Sequence, residues 1–226
     1  MTKEQAIINL DEMITAIEKA RINLSKHHIV KLVAVSKYSS SEDVEILYNA
    51  GQRAFGENKV QDLKDKSSKL DNLPIEWHFI GTLQKNKINN LIDLNPSLMQ
   101  SLDSLDLALE LDKKLKAKDK KMNCLLQINS ANEDTKSGVS TQEAIEIYNK
   151  IQKECSNINL KGVMSIGAHT QDEKLIEDSF RKTKEIFDIV EEQNGATICS
   201  MGMSSDFKLA IKCGSNMIRV GSKLFK

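Results

Sequence analysis

The sequence predicts a (β/α)8 TIM barrel with an extra N-terminal helix, and three observations carry that prediction. Apolar, β-branched runs alternate with amphipathic stretches from about residue 30 onward. About eight such strands fall within roughly 200 residues, as in a closed barrel. No repeat, low-complexity tract or break in composition interrupts the alternation, so residues 1–226 read as one domain. Strand alternating with helix implies right-handed crossovers and a parallel sheet. A doubly wound open sheet is the alternative and would ordinarily show fewer strands.

The elements follow in order. Over 1–20, Ile7, Leu10, Ile14 and Ile17 recur at helical spacing. Glu4, Asp11, Glu12 and Glu18 on the same stretch argue against a secretory or transit peptide. Strands are expected at 30–36, 52–56, 76–80, 97–101, 123–129, 159–165, 196–200 and 216–220. Helices are expected between them at 41–50, 57–70, 84–93, 104–118, 140–155, 172–193 and 204–213. Pro74 and Pro96 each stand just before an expected strand.

Composition narrows the function. The chain is 40% hydrophobic, enough for a substantial core, and its 32 basic and 32 acidic residues balance. Nothing in that balance points to nucleic acid. The apolar runs fall far short of the roughly 20 residues of a membrane span. Cys124, Cys155, Cys199 and Cys213 are scattered without a CxxC pair, which fits reduced thiols in a cytoplasmic protein. Zinc spacings, HExxH, GxGxxG, the P-loop and the GxSxG elbow are absent from the sequence.

Barrel functional groups gather at the C-terminal ends of strands. Lys37 stands there, where Leu32-Val33-Ala34-Val35 gives way to a polar turn. A lysine fixed at such a place can form a Schiff base with an aldehyde, although a solvated lysine capping a strand has the same local sequence. In barrels, the loops after strands 7 and 8 frequently bind phosphate. Here those loops hold Ser204, which could cap a helix beginning near Ser205, and Gly221-Ser222, which allows close backbone approach and adds a hydroxyl. Either loop alone reads better as an ordinary capped helix start or turn; both together, with an amine, suggest pyridoxal 5′-phosphate. Arg219 interrupts the apolar run at 217–220, and fits either a donor to a pyridine nitrogen or a surface ion pair. His78, beside Trp77, reads better as a hydrogen-bonded core residue than as a catalyst.

The combination resembles the pyridoxal phosphate homeostasis proteins (the YggS/PROSC type), barrels similar to the alanine racemase N-terminal domain. The segments that carry the resemblance are AVSK at 34–37, FGENKVQ at 55–61 and WHFIGTLQKNK at 77–87. Asn129, Glu133, Lys136 and Gly138, SMGMSSD at 200–206 and IRVGSKLF at 218–225 complete it. The resemblance implies that Lys37 carries pyridoxal phosphate, that Ser204, Gly221 and Ser222 contact its phosphate, and that Arg219 faces the ring nitrogen. Asn58, His78 and Met201 fall in motifs that line the family's site. It further implies a carrier that buffers or delivers the cofactor, with apo-enzymes that use pyridoxal phosphate as partners and without turnover of its own.

The alternative is a fold type III amino-acid racemase. Those enzymes add a second β domain, which the expected elements do not include, and proton transfer needs a placed acid and base beside the cofactor. Without that domain the usual reason to dimerise is gone, and a monomer is expected. Lys136, in the loop after the fifth expected strand, is a second amine that could assist transfer or simply be solvated.

Overall fold

The computed structural model describes residues 1–133 and 137–226. Lys136, the expected transfer lysine, lies outside the described residues. The strands are β1 (Lys31–Val35), β2 (Ala54–Glu57), β3 (Glu76–Phe79), β4 (Leu98–Leu102), β5 (Met122–Asn129), β6 (Val139–Ser140), β7 (Ile158–Ser165), β8 (Ile198–Ser200) and β9 (Met217–Val220). They run β4-β3-β2-β1-β9-β8-β7-β5-β6, and a further β4–β5 pairing closes the ring. Every pairing is parallel. Eight strands form the barrel, and the two-residue β6 adds to the end of β5, pairing Ile128 with Val139. The closed barrel, and not the open sheet, is therefore the architecture.

The helices are α1 (Lys3–Leu24), α2 (Ser41–Asn49), α3 (Val60–Lys69), α4 (Ile88–Leu94), α5 (Leu105–Ala117), α6 (Ala144–Glu154), α7 (Glu173–Asn194) and α8 (Phe207–Lys212). Local chemistry sets their starts. Ser40 and Asp43 form a reciprocal capping box at α2, Ser104 caps α5, and Asp172 accepts from two backbone N–H groups at α7. Gly195 ends α7 in the left-handed region at φ +68°.

Three expectations change. The helix expected from 57 begins at Val60, because Glu57 belongs to the β2–β3 ladder opposite Phe79. The helix expected over 84–93 is a single 3-10 turn, Lys85–Lys87, followed by α4. On α1 the buried stripe is Ala6, Leu10, Met13 and Ile17, while Ile7 and Ile14 are exposed. Asn9 lies on the same buried face, where its side-chain amide donates to the carbonyls of Leu224 (3.2 Å) and Lys226 (2.8 Å).

Strand residues alternate between two compartments. Val33, Ala54, Leu98, Leu125, Met164 and Met217 form the apolar plug inside the barrel. Their neighbours on the strands, among them Ala34, Phe55 and Met99, pack outward under the helices, as does Phe79 on β3. The register of β5 against β7 skips one residue between Cys124 and Leu125, so that Leu160 is followed in pairing by Gly162. Gly162 has φ +146°, and a Cβ there would lie 1.9 Å from the Ile198 carbonyl oxygen. Both the backbone angle and the close approach of β8 require glycine. Gly162→Ala is expected to lose about 2 kcal/mol or more in urea unfolding; unchanged stability would mean that the bulge is relaxed easily.

Candidate functional site

The C-terminal mouth of the barrel opens into a cavity of about 820 Å³, within the range of small-molecule sites. Lys37, Asn58, Ser204, Arg219, Gly221 and Ser222 line it. Residues that sequence reasoning did not single out line it too, among them Tyr38, Thr82, Gln127, Met164 and Met203. Gln127 and Met164 were findable as inward members of β5 and β7 near their C-terminal ends, a parity signal; the loop residues carried no such signal.

Lys37 is exposed at the cavity, with its ammonium 5.0 Å from the centre of the Tyr38 ring. Its backbone is anchored from behind. Ser36 is buried; its N–H donates to the Gly56 carbonyl (3.0 Å) and its hydroxyl to Glu57 Oε1 (2.7 Å). From α3, Lys66 Nζ donates both to the Ser36 carbonyl (2.6 Å) and to Glu57 Oε1 (2.5 Å). The Glu57 side chain is fully buried and that of Lys66 is 11% exposed. A buried ion pair, placed between barrel and helix layer, thus holds the residue preceding Lys37. Asn58 is placed by a close crossing: a Cβ on Gly81 would sit 1.9 Å from the Asn58 carbonyl oxygen.

The two phosphate-type loops meet each other. Ser204 does not cap a helix as expected, since α8 begins three residues later at Phe207. Its hydroxyl oxygen instead accepts from the Gly221 N–H at 3.3 Å, which ties the loop after β8 to the loop after β9. Asp206 braces the first loop by accepting from the Met203 N–H at 2.6 Å. Gly221 approaches so closely that a Cβ would be 2.9 Å from the Val35 carbonyl oxygen, the residue two before Lys37. The cradle and the amine are therefore neighbours across the β1–β9 seam.

Arg219 points inward from β9 and is 5% exposed. Among the described residues it has no ion-pair partner; Nη1 donates to Ser200 Oγ (2.6 Å) and Nη2 to the Ser165 carbonyl (2.8 Å). Burial pushes its pKa down to about 10, against the opposing field of Asp206, so it stays cationic at neutral pH. A guanidinium has five N–H donors, and donors remain for a ligand in the cavity. A 820 Å³ cavity with an amine, an edge of guanidinium donors and a joined pair of glycine–serine loops fits a phosphorylated aromatic aldehyde such as pyridoxal phosphate.

Two expected site residues do not line the cavity. Met201 is fully buried in the core outside the barrel wall, because strand parity turns it away from the mouth; Met203 lies against the cavity instead. His78 is fully buried inside the barrel, hydrogen-bonded to Gln100 and Glu76, below the mouth. Burial lowers its pKa from the ordinary 6.5, opposed by its bond to Glu76. Glu76, bonded to His78 and Lys31, is held down at about 2.

The profile of the alanine racemase N-terminal domain matches residues 8–226. The chain is 57% identical over 217 residues to the pyridoxal phosphate homeostasis protein of Helicobacter pylori, with 96% of each chain covered. An unknown protein of Bifidobacterium adolescentis superposes with a TM-score of 0.94 at 29% identity, covering 99% of this chain and 95% of the other. PipY of Synechococcus elongatus, solved with PLP bound, superposes with a TM-score of 0.78 at 28% identity, covering 93% of this chain and all of PipY.

Two stability tests come from this geometry. Lys66→Ala leaves the Glu57 carboxylate buried without its cation, and is expected to lose about 3 kcal/mol in urea unfolding. Adding Glu57→Gln to it should recover much of that loss; equal losses in the single and double variants would show the pair to be uncoupled. For His78, the folded chain keeps the ring neutral while the unfolded chain takes up a proton below pH 6.5. Its contribution is therefore complete above that pH and declines as pH falls toward the depressed folded value. Thermal melts from pH 8 to 5 should show this decline, and a flat profile would refute a neutral buried His78.

Proposed function

The chain belongs to the pyridoxal phosphate homeostasis protein family, and from that premise we propose that it is a cytoplasmic, monomeric carrier of pyridoxal 5′-phosphate that buffers the cofactor or delivers it to apo-enzymes. The observation that carries this reading is the juxtaposition of Lys37 with the joined Ser204 and Gly221 loops around one cavity. The cofactor contributes a reactive aldehyde. Lys37 Nζ would hold the cofactor through that aldehyde, and the exposure of this amine would leave room for a second amine to displace it, as delivery requires.

The other residues bind and orient. Ser204 still has its hydroxyl proton to donate, and with Ser222 and the loop backbone it receives the phosphate. Arg219 can only donate, so it matches a ring nitrogen that holds a lone pair and does not supply it with a proton. That arrangement favours holding the ring over drawing electrons into it, which suits a carrier. The alignment to a homeostasis protein over 96% of both lengths supports the same choice over a racemase. Cys124, Cys155, Cys199 and Cys213 are free and buried, as suits a reducing compartment. Among the described residues no helix is long and apolar enough to cross a membrane.

The test is the visible spectrum of the purified chain with pyridoxal phosphate, before and after borohydride, followed by peptide mass mapping. A yellow band that bleaches on reduction and leaves a pyridoxyl group on Lys37 is the expected result. A chain that stays colourless, or an adduct on another lysine, would reject Lys37 as the anchor.

A further inference from the structure

The polar side chains inside the barrel join into one chain that runs from mouth to mouth. Arg219 Nη1 donates to Ser200 Oγ (2.6 Å), and Ser200 Oγ donates to Gln100 Oε1 (2.7 Å). Gln100 Nε2 meets His78 Nδ1 at 2.8 Å, and His78 Nε2 meets Glu76 Oε1 at 2.9 Å. His78, Gln100, Ser200 and Arg219 are buried. Glu76, the first residue of β3, reaches the opposite, N-terminal mouth, where it pairs with Lys31.

One end of this chain dictates the direction of every bond in it. Guanidinium has donors only, so Ser200 must accept from Arg219 and pass its single proton onward. Of the two ends of the Gln100 amide, only the oxygen can accept that proton. The amide nitrogen then faces His78, whose Nδ1 must present a lone pair. The ring proton is left on Nε2, aimed at Glu76, and an acceptor must close the sequence. A carboxylate is such an acceptor.

We propose that Glu76 and His78 are positioning residues for the cofactor cavity: through this chain they hold the free donors of Arg219 in one direction, so that the N-terminal mouth of the barrel governs how the cofactor ring is held at the C-terminal mouth. The proposal rests on reading that cavity as the pyridoxal phosphate site. Reversing the closing group shows why the effect must travel. A donor in place of Glu76 would confront the Nε2–H of His78. Moving that proton to Nδ1 would force the Gln100 amide to turn over. Ser200 would then receive two donors, and its own proton would lose its acceptor. His78, Gln100 and Ser200 are buried, so the mismatches among them cannot be relieved by bulk water.

The experiment uses the full chain labelled with 15N in histidine and arginine, first without and then with pyridoxal phosphate. In the wild type at neutral pH, His78 should be the neutral Nε2–H tautomer. Glu76→Gln, whose amide oxygen still accepts, should preserve that tautomer and keep cofactor affinity within about twofold. Lys31→Ala, which removes the rim ion pair and leaves the acceptor, should do the same. Glu76→Lys should change the His78 tautomer, move the Arg219 side-chain resonances, weaken affinity about tenfold and shift the visible band. Borohydride should still fix the cofactor on Lys37 in every variant. An Nδ1–H or cationic His78 in the wild type would overturn the proposal, as would unmoved Arg219 resonances in Glu76→Lys or an equal loss in Lys31→Ala. Failure of the wild type to take up cofactor would instead remove the premise, and the nitrogen spectra of the empty chain would report separately on whether the hydrogen-bonded chain exists.

Discussion

The buried guanidinium of Arg219 is the constraint around which the barrel interior is arranged. A cation that is 5% exposed loses most of its hydration, and protein groups must replace much of that water. Ser200 and the Ser165 carbonyl do so directly. Each of those introduces a further polar group that must be satisfied, which is why Gln100 and His78 stand at inward positions where a barrel would otherwise be apolar. The apolar plug of Val33, Ala54, Leu98, Leu125, Met164 and Met217 fills the remaining interior. The result is a polar seam inside a packed core, ending at a carboxylate where water begins.

The amine and the guanidinium are held by opposite sides of the same sheet. Lys37 shares inward parity with Lys31, Val33 and Val35 on β1, yet the groups that fix its backbone, Ser36, Glu57 and Lys66, lie outward under α3. Placing the ion pair there keeps a strong, directional clamp out of the cavity, where a carboxylate would repel an anionic ligand. The inward side is left for donors. Arg219, Ser204 and Ser222 supply positive or hydrogen-donating edges around Lys37, while Glu57 sits behind the wall. Separation of charge across the thickness of one strand thus decides which ligands the cavity accepts.

Much of this was legible in the sequence and some was not, for definable reasons. Eight strand runs and their intervals announced the barrel, and with it the rim on which Lys37, Asn58, Arg219, Gly221 and Ser222 were expected. Sequence also favoured His78 as a bonded core residue, which is how it is placed. Inward or outward orientation was harder. Met201 was grouped with its motif although one residue of strand parity separates the cavity from the core. Ser204 was read as a cap because a helix was expected to begin near Ser205, and a contact with a residue 17 positions away leaves no local trace. Gln100 escaped notice, and Ser200 was read only as part of its loop motif, because lone polar residues in short strands look like surface positions until the partner strands are known.

The extra helix α1 is the last part of the same arrangement. The barrel closes through β1 and β9, and the phosphate-type loop with Gly221 follows β9 directly. The Leu224 and Phe225 N–H groups both turn back to the Gly221 carbonyl, which makes the following segment a tight turn. Asn9 then takes the carbonyls of Leu224 and Lys226 from the α1 side, while Leu224 is fully buried against the cluster that includes Leu10, Met13 and Ile17. The amino terminus is itself tied to Asp43 on α2 at 2.8 Å, beside the loop that carries Lys37. A helix outside the eightfold repeat thereby braces both halves of the cavity, the Lys37 turn through α2 and the Gly221 loop through Asn9. Its inward asparagine thus links the packed face of α1 to the turn that follows Gly221.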